Sequence, residues 1–228
     1  MMQFMIASHG RSHVPTFPAA MLLLFLLVLV SPSVPADEWD RERAAETASL
    51  LHSDQWFAAA LFQDGALHPV LNRRIALRPA PFAIVVAMHE PDGLLVNANV
   101  APDIYRGVVK KRSLDEILDE PDMFMGMAET LFNEERTLYV SASSPHYLYY
   151  FTPEDHRYDR IDIIDGVVIG HRFVEFLWDL EGEGFGGPSG TVPVEEMVEP
   201  LYLSFFYATW EAEGRVEHQS AAVEVVFQ

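Results

Sequence analysis

The sequence predicts an α+β fold: a mainly antiparallel β-sheet or sandwich in the second half, with a few packed helices. Three observations predict it. Runs of β-branched and aromatic residues dominate after about residue 137. Turn dipeptides of the hairpin kind separate those runs, Asp165-Gly166 above all. Helical patterns come early and in the middle and do not alternate with strands, which argues against repeated βαβ units.

Residues 1–36 read as a signal peptide preceding this domain. Ala19 to Val30 is an unbroken apolar run, whereas a bilayer-spanning helix needs roughly twenty residues. Arg11 lies upstream, and Ser31-Pro32-Ser33-Val34-Pro35-Ala36 supplies a helix-breaking, small-residue stretch for cleavage after Ala36. The leader before the apolar core is long, so Met5 is an alternative start. Residues 37–228 are then a single exported domain, periplasmic or secreted. No second apolar run is long enough to predict a transmembrane span.

Composition narrows the function. There is no cysteine, so neither a disulfide framework nor a lipid-modified cysteine is expected. The net charge is −19, from 34 acidic against 15 basic residues, and Lys110 and Lys111 are the only lysines. Such a field repels phosphate backbones and argues against nucleic acid; it favours a cationic or protein partner.

Along the domain, Asp37 to His52 predicts a helix capped by Asp37, and Trp56, Phe57, Ala60 and Leu61 extend the helical spacing over Asp54 to Phe62. Arg78-Pro79-Ala80-Pro81 ends helical character. Phe82 to Met88 and Leu94 to Val100 predict two strands, paired as a hairpin around Glu90-Pro91-Asp92-Gly93. Ser113-Leu114-Asp115-Glu116 is a capping box opening a short helix to about Asp119. Pro121 suits the first turn of another, through Phe132. Met123, Met125 and Met127 would point to different sides of that helix, so they cannot share a metal ion and are read as packing residues.

Leu138 to Val140 and Tyr147 to Phe151 predict strands, followed by a hairpin from Tyr158 to Trp178 turning at Asp165-Gly166. Residues 181–191 predict a glycine-rich loop. Leu201 to Trp210 and Ser220 to Phe227 predict two strands around Glu211-Ala212-Glu213-Gly214. Leu201 to Tyr207 is apolar on both faces, the mark of a central strand covered on both sides.

The hairpin carries the densest polar cluster. A two-residue turn sets Ile164 opposite Val167, Asp162 opposite Ile169 and Arg160 opposite His171. Alternation puts Ile161, Ile163, Val168, Val174 and Phe176 on one face, read as the core. It puts His156, Arg160, Asp162, His171 and Glu175 on the other, with Tyr158 and Phe173, read as a solvated face. His156 and His171 are separated by four residues of strand, roughly 13 Å, too far to share an ion. No metal site is expected.

Catalytic candidates are His146, His156, Asp162, His171 and Glu175, with Asp155 beside them. Partner-binding candidates are Tyr147, Tyr149, Tyr150 and Arg160. No His-Glu-x-x-His occurs, nor Gly-x-Ser-x-Gly, because Thr191 follows where the second glycine would stand. Gly182-Glu183-Gly184-Phe185-Gly186-Gly187 matches a dinucleotide fingerprint in form only. Prolines 188 and 193 follow it where a helix should start. No cofactor is expected. The composite expectation is an exported, non-catalytic binding or accessory protein. The alternatives are an exported hydrolase or metal-binding protein using residues 146–175, and an envelope structural or assembly factor using the tyrosine-rich strand as an edge.

Overall fold

The computed structural model describes residues 39–121, 123–128, 130–133, 135–141, 146–151, 159–180 and 190–228. The signal-like segment and its cleavage site lie outside the described residues, as do Asp155, His156, Tyr158 and the glycine run 182–187. The described part is mostly β-sheet with a few helices, so the α+β expectation holds in outline.

The first element is a helix, α1 (Arg41–Ser49). Its N-cap is Asp40, whose carboxylate accepts the Arg43 N–H at 3.0 Å, three residues later than Asp37 predicts. The expected helical continuation is overturned. The chain turns into strand β1 (Phe57–Gln63), then β2 (Ala66–Pro69) and β3 (Arg73–Leu77). Phe57, Ala59 and Leu61 enter one core and Phe62 another, so a strand buried on both faces matches the helical spacing by accident. The turn between β1 and β2 is Asp64-Gly65, both at positive φ (54° and 72°), the two-residue form that matches strand twist.

Strands β4 (Phe82–Met88) and β5 (Leu94–Asn99) form where predicted, but they do not pair with each other. β4 lies between β1 and β10 (Val167–Val174) in a five-stranded sheet ordered β2-β1-β4-β10-β9, where β9 is Arg160–Ile164. β5 lies in a six-stranded sheet ordered β3-β14-β13-β5-β8-β6. There β6 is Met125–Ala128, β8 is His146–Tyr150, β13 is Leu201–Glu211 and β14 is Gly214–Phe227. Glu90 to Gly93 is therefore the crossing from one sheet to the other. Gly93 sits at φ +107°, and a Cβ there would lie 2.4 Å from the Ala208 carbonyl oxygen. The Gly93 carbonyl accepts the Ala208 N–H at 3.0 Å. A third sheet is ordered β12-β11-β7, from Val192–Pro193, Phe176–Asp179 and Thr137–Val140.

Side chains sort by alternation. Phe82, Ile84, Val86 and Met88 of β4 meet Leu94, Val96 and Ala98 of β5 and Leu201, Leu203, Phe205 and Tyr207 of β13 in the main core. Ala83, Val85 and Ala87, on the other face of β4, pack with Trp39, Ala44 and Ile169 beneath α1. Two helices cover the outer face of the six-stranded sheet: α2 (Asp103–Val109) and α3 (Leu114–Leu118). Ile104, Val108, Leu114 and Ile117 pack there on Leu95, Leu148 and Phe206. The capping box predicted for α3 is present, with Glu116 N–H to Ser113 Oγ at 3.2 Å and Ser113 N–H to Glu116 Oε2 at 2.8 Å. Each large apolar side chain so buried contributes about 1.5–3 kcal/mol.

Further expectations are corrected. The helix from Pro121 to Phe132 does not form; β6 lies there, parallel to β8. Met123 and Met125 pack against the core under α2 and α3, while Met127 is exposed. Three strand pairs are parallel (β6–β8, β7–β11 and β3–β14), so the sheets are not purely antiparallel. Strands also fill the first half of the domain. The hairpin register at Asp165-Gly166 forms as predicted from Ile164 opposite Val167 to Arg160 opposite His171, and the two strands expected around Glu211 to Gly214 form, the second starting earlier, at Gly214. β13 is central and buried on both faces, again as read.

Replacing Gly93 with alanine forces the Ala208 carbonyl and the crossing apart. Urea unfolding of Gly93→Ala is expected to show a loss on the order of 1–3 kcal/mol.

Candidate functional site

The polar cluster on the 160–175 hairpin is real, but its burial departs from that expected: Val174 enters the main core as read and Arg160 is exposed as read, while His171 is buried. The face carrying His171 lies under α1, whereas Ile161 and Ile163, read as core, are 43% and 69% exposed. β9 is the edge of its sheet, and those two side chains point to the face that α1 does not cover. His171, on β10, is 7% exposed. Its ring lies 4.7 Å from that of Trp39 and 6.3 Å from that of Phe173.

Trp39 closes this cluster from above. Its indole N–H donates to Asp162 Oδ2 at 3.3 Å, and its carbonyl accepts from Arg160 Nη1 at 2.9 Å. Arg160 in turn pairs with Asp162 at 2.9 Å. The Trp39 ring meets Phe62 edge-on at 5.3 Å. Beside this, Arg136 bridges Glu175 at 2.7 Å and Asp159 at 3.3 Å and lies over the Phe173 ring at 5.1 Å. Arg160, Asp162 and Glu175 are thus occupied in holding α1 and the strand end.

Burial pushes the His171 imidazole down from 6.5 to about 4; the carboxylates of Asp159 and Asp162 oppose this, and Arg136 and Arg160 reinforce it. Among the described residues its buried Nδ1 has no hydrogen-bond partner. A neutral, enclosed ring is the state this packing favours.

His146 belongs to another layer. It shares a face of β8 with Leu148, toward α2 and α3, while His171 faces α1 across both sheets. The Asn99 amide nitrogen donates to His146 Nδ1, with Asn99 Oδ1 fixed by the Ala101 N–H at 2.6 Å. His146 and His171 therefore do not converge. Among the described residues, no three His, Asp or Glu side chains are grouped to hold a metal ion.

The tyrosine row is mostly core. Tyr147, Tyr149 and Phe151 face the main core, Tyr149 being 1% exposed, and only Tyr150 is substantially exposed, at 41%. β8 is paired on both sides, with β5 and β6, and so is not an edge.

A concave surface lies elsewhere. Tyr139 on β7 and Trp178 on β11 are direct partners in the parallel ladder, with rings edge-on at 5.2 Å. They line a cleft of about 320 Å³ with Asn133, Glu135, Thr137 and Thr191. Asn133 Oδ1 accepts the Glu135 and Thr137 N–H groups at 3.0 and 3.1 Å, a turn that sets the Glu135 carboxylate at the cleft. Its Nδ2 donates to Glu135 Oε2 at 3.3 Å. The sequence reading missed this site. The Asn-x-Glu turn was a local signal for half of it; the pairing of Tyr139 with Trp178 had none.

No family model matches the chain, and comparisons with curated proteins and with solved structures find no similar protein.

The buried imidazole carries a pH dependence. Between about pH 4 and 6.5 the unfolded chain binds the His171 proton and the folded chain does not, so stability falls as pH falls through that window. The loss approaches about 3 kcal/mol at the acid end. Urea unfolding at pH 7 and pH 4.5 is expected to show a smaller drop for His171→Phe than for the parent chain. Equal drops would place the acid sensitivity elsewhere.

Proposed function

We propose that this chain is an exported, non-catalytic binding protein whose ligand is a small organic cation or a cationic side chain of a protein partner. One observation supports this above the others: two aromatic rings and a carboxylate line one cleft. Ring faces attract cations electrostatically, and a nearby carboxylate adds charge attraction. Tyr139, Trp178 and Glu135 supply those groups, on a chain of net charge −19. The cleft volume, about 320 Å³, is at the small end of those that hold organic ligands.

The hydrolase reading has less to support it. Its described candidates are divided between two layers, and Asp162 and Glu175 are engaged by arginines. The assembly-factor reading relied on a tyrosine-rich edge, and β8 has a neighbour on each side. Export rests on the apolar run Ala19 to Val30 and the small-residue stretch after it.

Titration with tetramethylammonium, or with a short arginine-rich peptide, is expected to change the tryptophan fluorescence saturably. Trp178→Ala should remove the response, and Glu135→Gln should weaken binding several-fold. A titration that Trp178→Ala leaves unchanged would refute the assignment. For export, intact mass in an envelope fraction should match a chain beginning at Asp37; a mass for residues 1–228 would mean the segment is retained.

A further inference from the structure

We propose that a second cleft, between the α2–α3 turn and β14, binds a small organic oxyanion, a phosphate or carboxylate compound of about sugar size. It shares no residue with the Tyr139–Trp178 cleft and stands independently of it. Its volume is about 400 Å³, within the range of small-molecule sites and larger than a bare inorganic ion needs.

The chemistry follows from which polar atoms are already used. Asn72 Oδ1 accepts the Ala222 N–H at 2.7 Å, and among the described residues its amide N–H₂ has no acceptor. Ser113 Oγ accepts the Glu116 N–H at 3.2 Å, which leaves its hydroxyl proton to donate. The Gln219 side-chain oxygen accepts the Trp56 and Phe57 N–H groups, and its nitrogen donates to the Phe57 carbonyl, so this amide is occupied. His218 Nε2 meets Thr209 Oγ1 at 2.7 Å, so its Nδ1 donates or accepts according to the tautomer. Glu217, the one carboxylate there, turns Oε2 to the Leu114 N–H at 2.6 Å. Glu217 keeps its charge and one carboxylate oxygen, while the donors left unused among the described residues are the Asn72 amide, the Ser113 hydroxyl and the Lys111 ammonium. A donor-rich cleft lined by a cationic side chain favours an anion.

That cation is Lys111. Among the described residues it forms no ion pair, unlike its neighbour Arg112, which pairs with Glu120. Lys111 stands just past the end of α2 at φ +59°, with its N–H bonded to the Val108 carbonyl at 2.8 Å and the Arg112 N–H bonded to that of Gly107 at 3.1 Å. This is the helix-terminating position that glycine normally occupies. A lysine there keeps a backbone that glycine would adopt more easily, and its side chain lines the cleft. It is one of two lysines in a strongly acidic chain.

A reporter is built in. Trp56 stacks on His218 at 4.3 Å, so charge arriving at the cleft should alter its fluorescence. The purified protein would be titrated with inorganic phosphate, citrate and chloride at matched ionic strength, following Trp56 emission and the His218 ring protons by NMR. Phosphate, citrate or both should give a saturable change that chloride does not, and which one acts separates phosphate from carboxylate ligands. Lys111→Gly should weaken binding at least tenfold while the unfolding midpoint holds or rises, because glycine relaxes the backbone. Lys110→Ala, outside the cleft, should bind as the parent chain does. Glu217→Gln, which keeps an acceptor for Leu114, should bind more tightly. The proposal is overturned if chloride acts equally, if neither anion saturates, or if Lys111→Gly binds undiminished.

Discussion

All seven side chains of β4 are buried, and this two-sided burial sets the layers around it. A strand apolar on one face can rest on a core and leave its other face wet. A strand apolar on both must be covered twice. β4 and β13 both make that demand, in different sheets. The facing sheet meets it on the inside, with Val86, Val96 and Phe205 in one cluster. Helices meet it outside: α1 over β4 and β10, α2 and α3 over β5, β13 and β14.

The outer covers explain where the polar groups went. α1 is nine residues long and has only a few apolar contacts, so it is weakly held by itself. Trp39, just before it, is tied to Arg160 and Asp162 across more than a hundred residues of chain. Those two side chains attach a cover to a sheet, and His171 is sealed beneath as a consequence. The cluster that the sequence offers as a site is therefore a fastening. The open concave surfaces lie at the margins, beside strand ends and helix ends.

Local chemistry was legible and pairing was not. Asp165-Gly166 specified its turn and the register of the strands beside it because φ > 0 at both positions closes a two-residue hairpin. Asp64-Gly65 carries the same signal, but the spacing of Trp56, Phe57, Ala60 and Leu61 also fits a helix face, and a strand buried on both sides has no period of its own to contradict it. The Ser113–Glu116 box was read correctly, since both of its bonds are local. The turn at Glu90 to Gly93 was found and its partners misassigned, because a tight turn reverses a chain equally well within one sheet or between two. In the candidate cleft, nothing near Tyr139 foretells Trp178, as a parallel ladder is specified only by the assembled sheet.

β14 lies between β3 and β13, inside its sheet and not at the edge. Its Val223 faces Arg73 on one side and Leu203 on the other, and Ala222 is bonded to Asn72 across a separation of 150 residues. Among the described residues β3 has no other neighbour, so residues 73–77 wait for 223–227 to be made before they can pair. Contacts of such long range form slowly, because the chain must close a large loop before they reward it. A ribosome-bound or half-threaded chain then lacks the middle of its larger sheet. For the export proposed above, that delay is useful: a polypeptide that cannot finish folding early is still a thread when it reaches the pore.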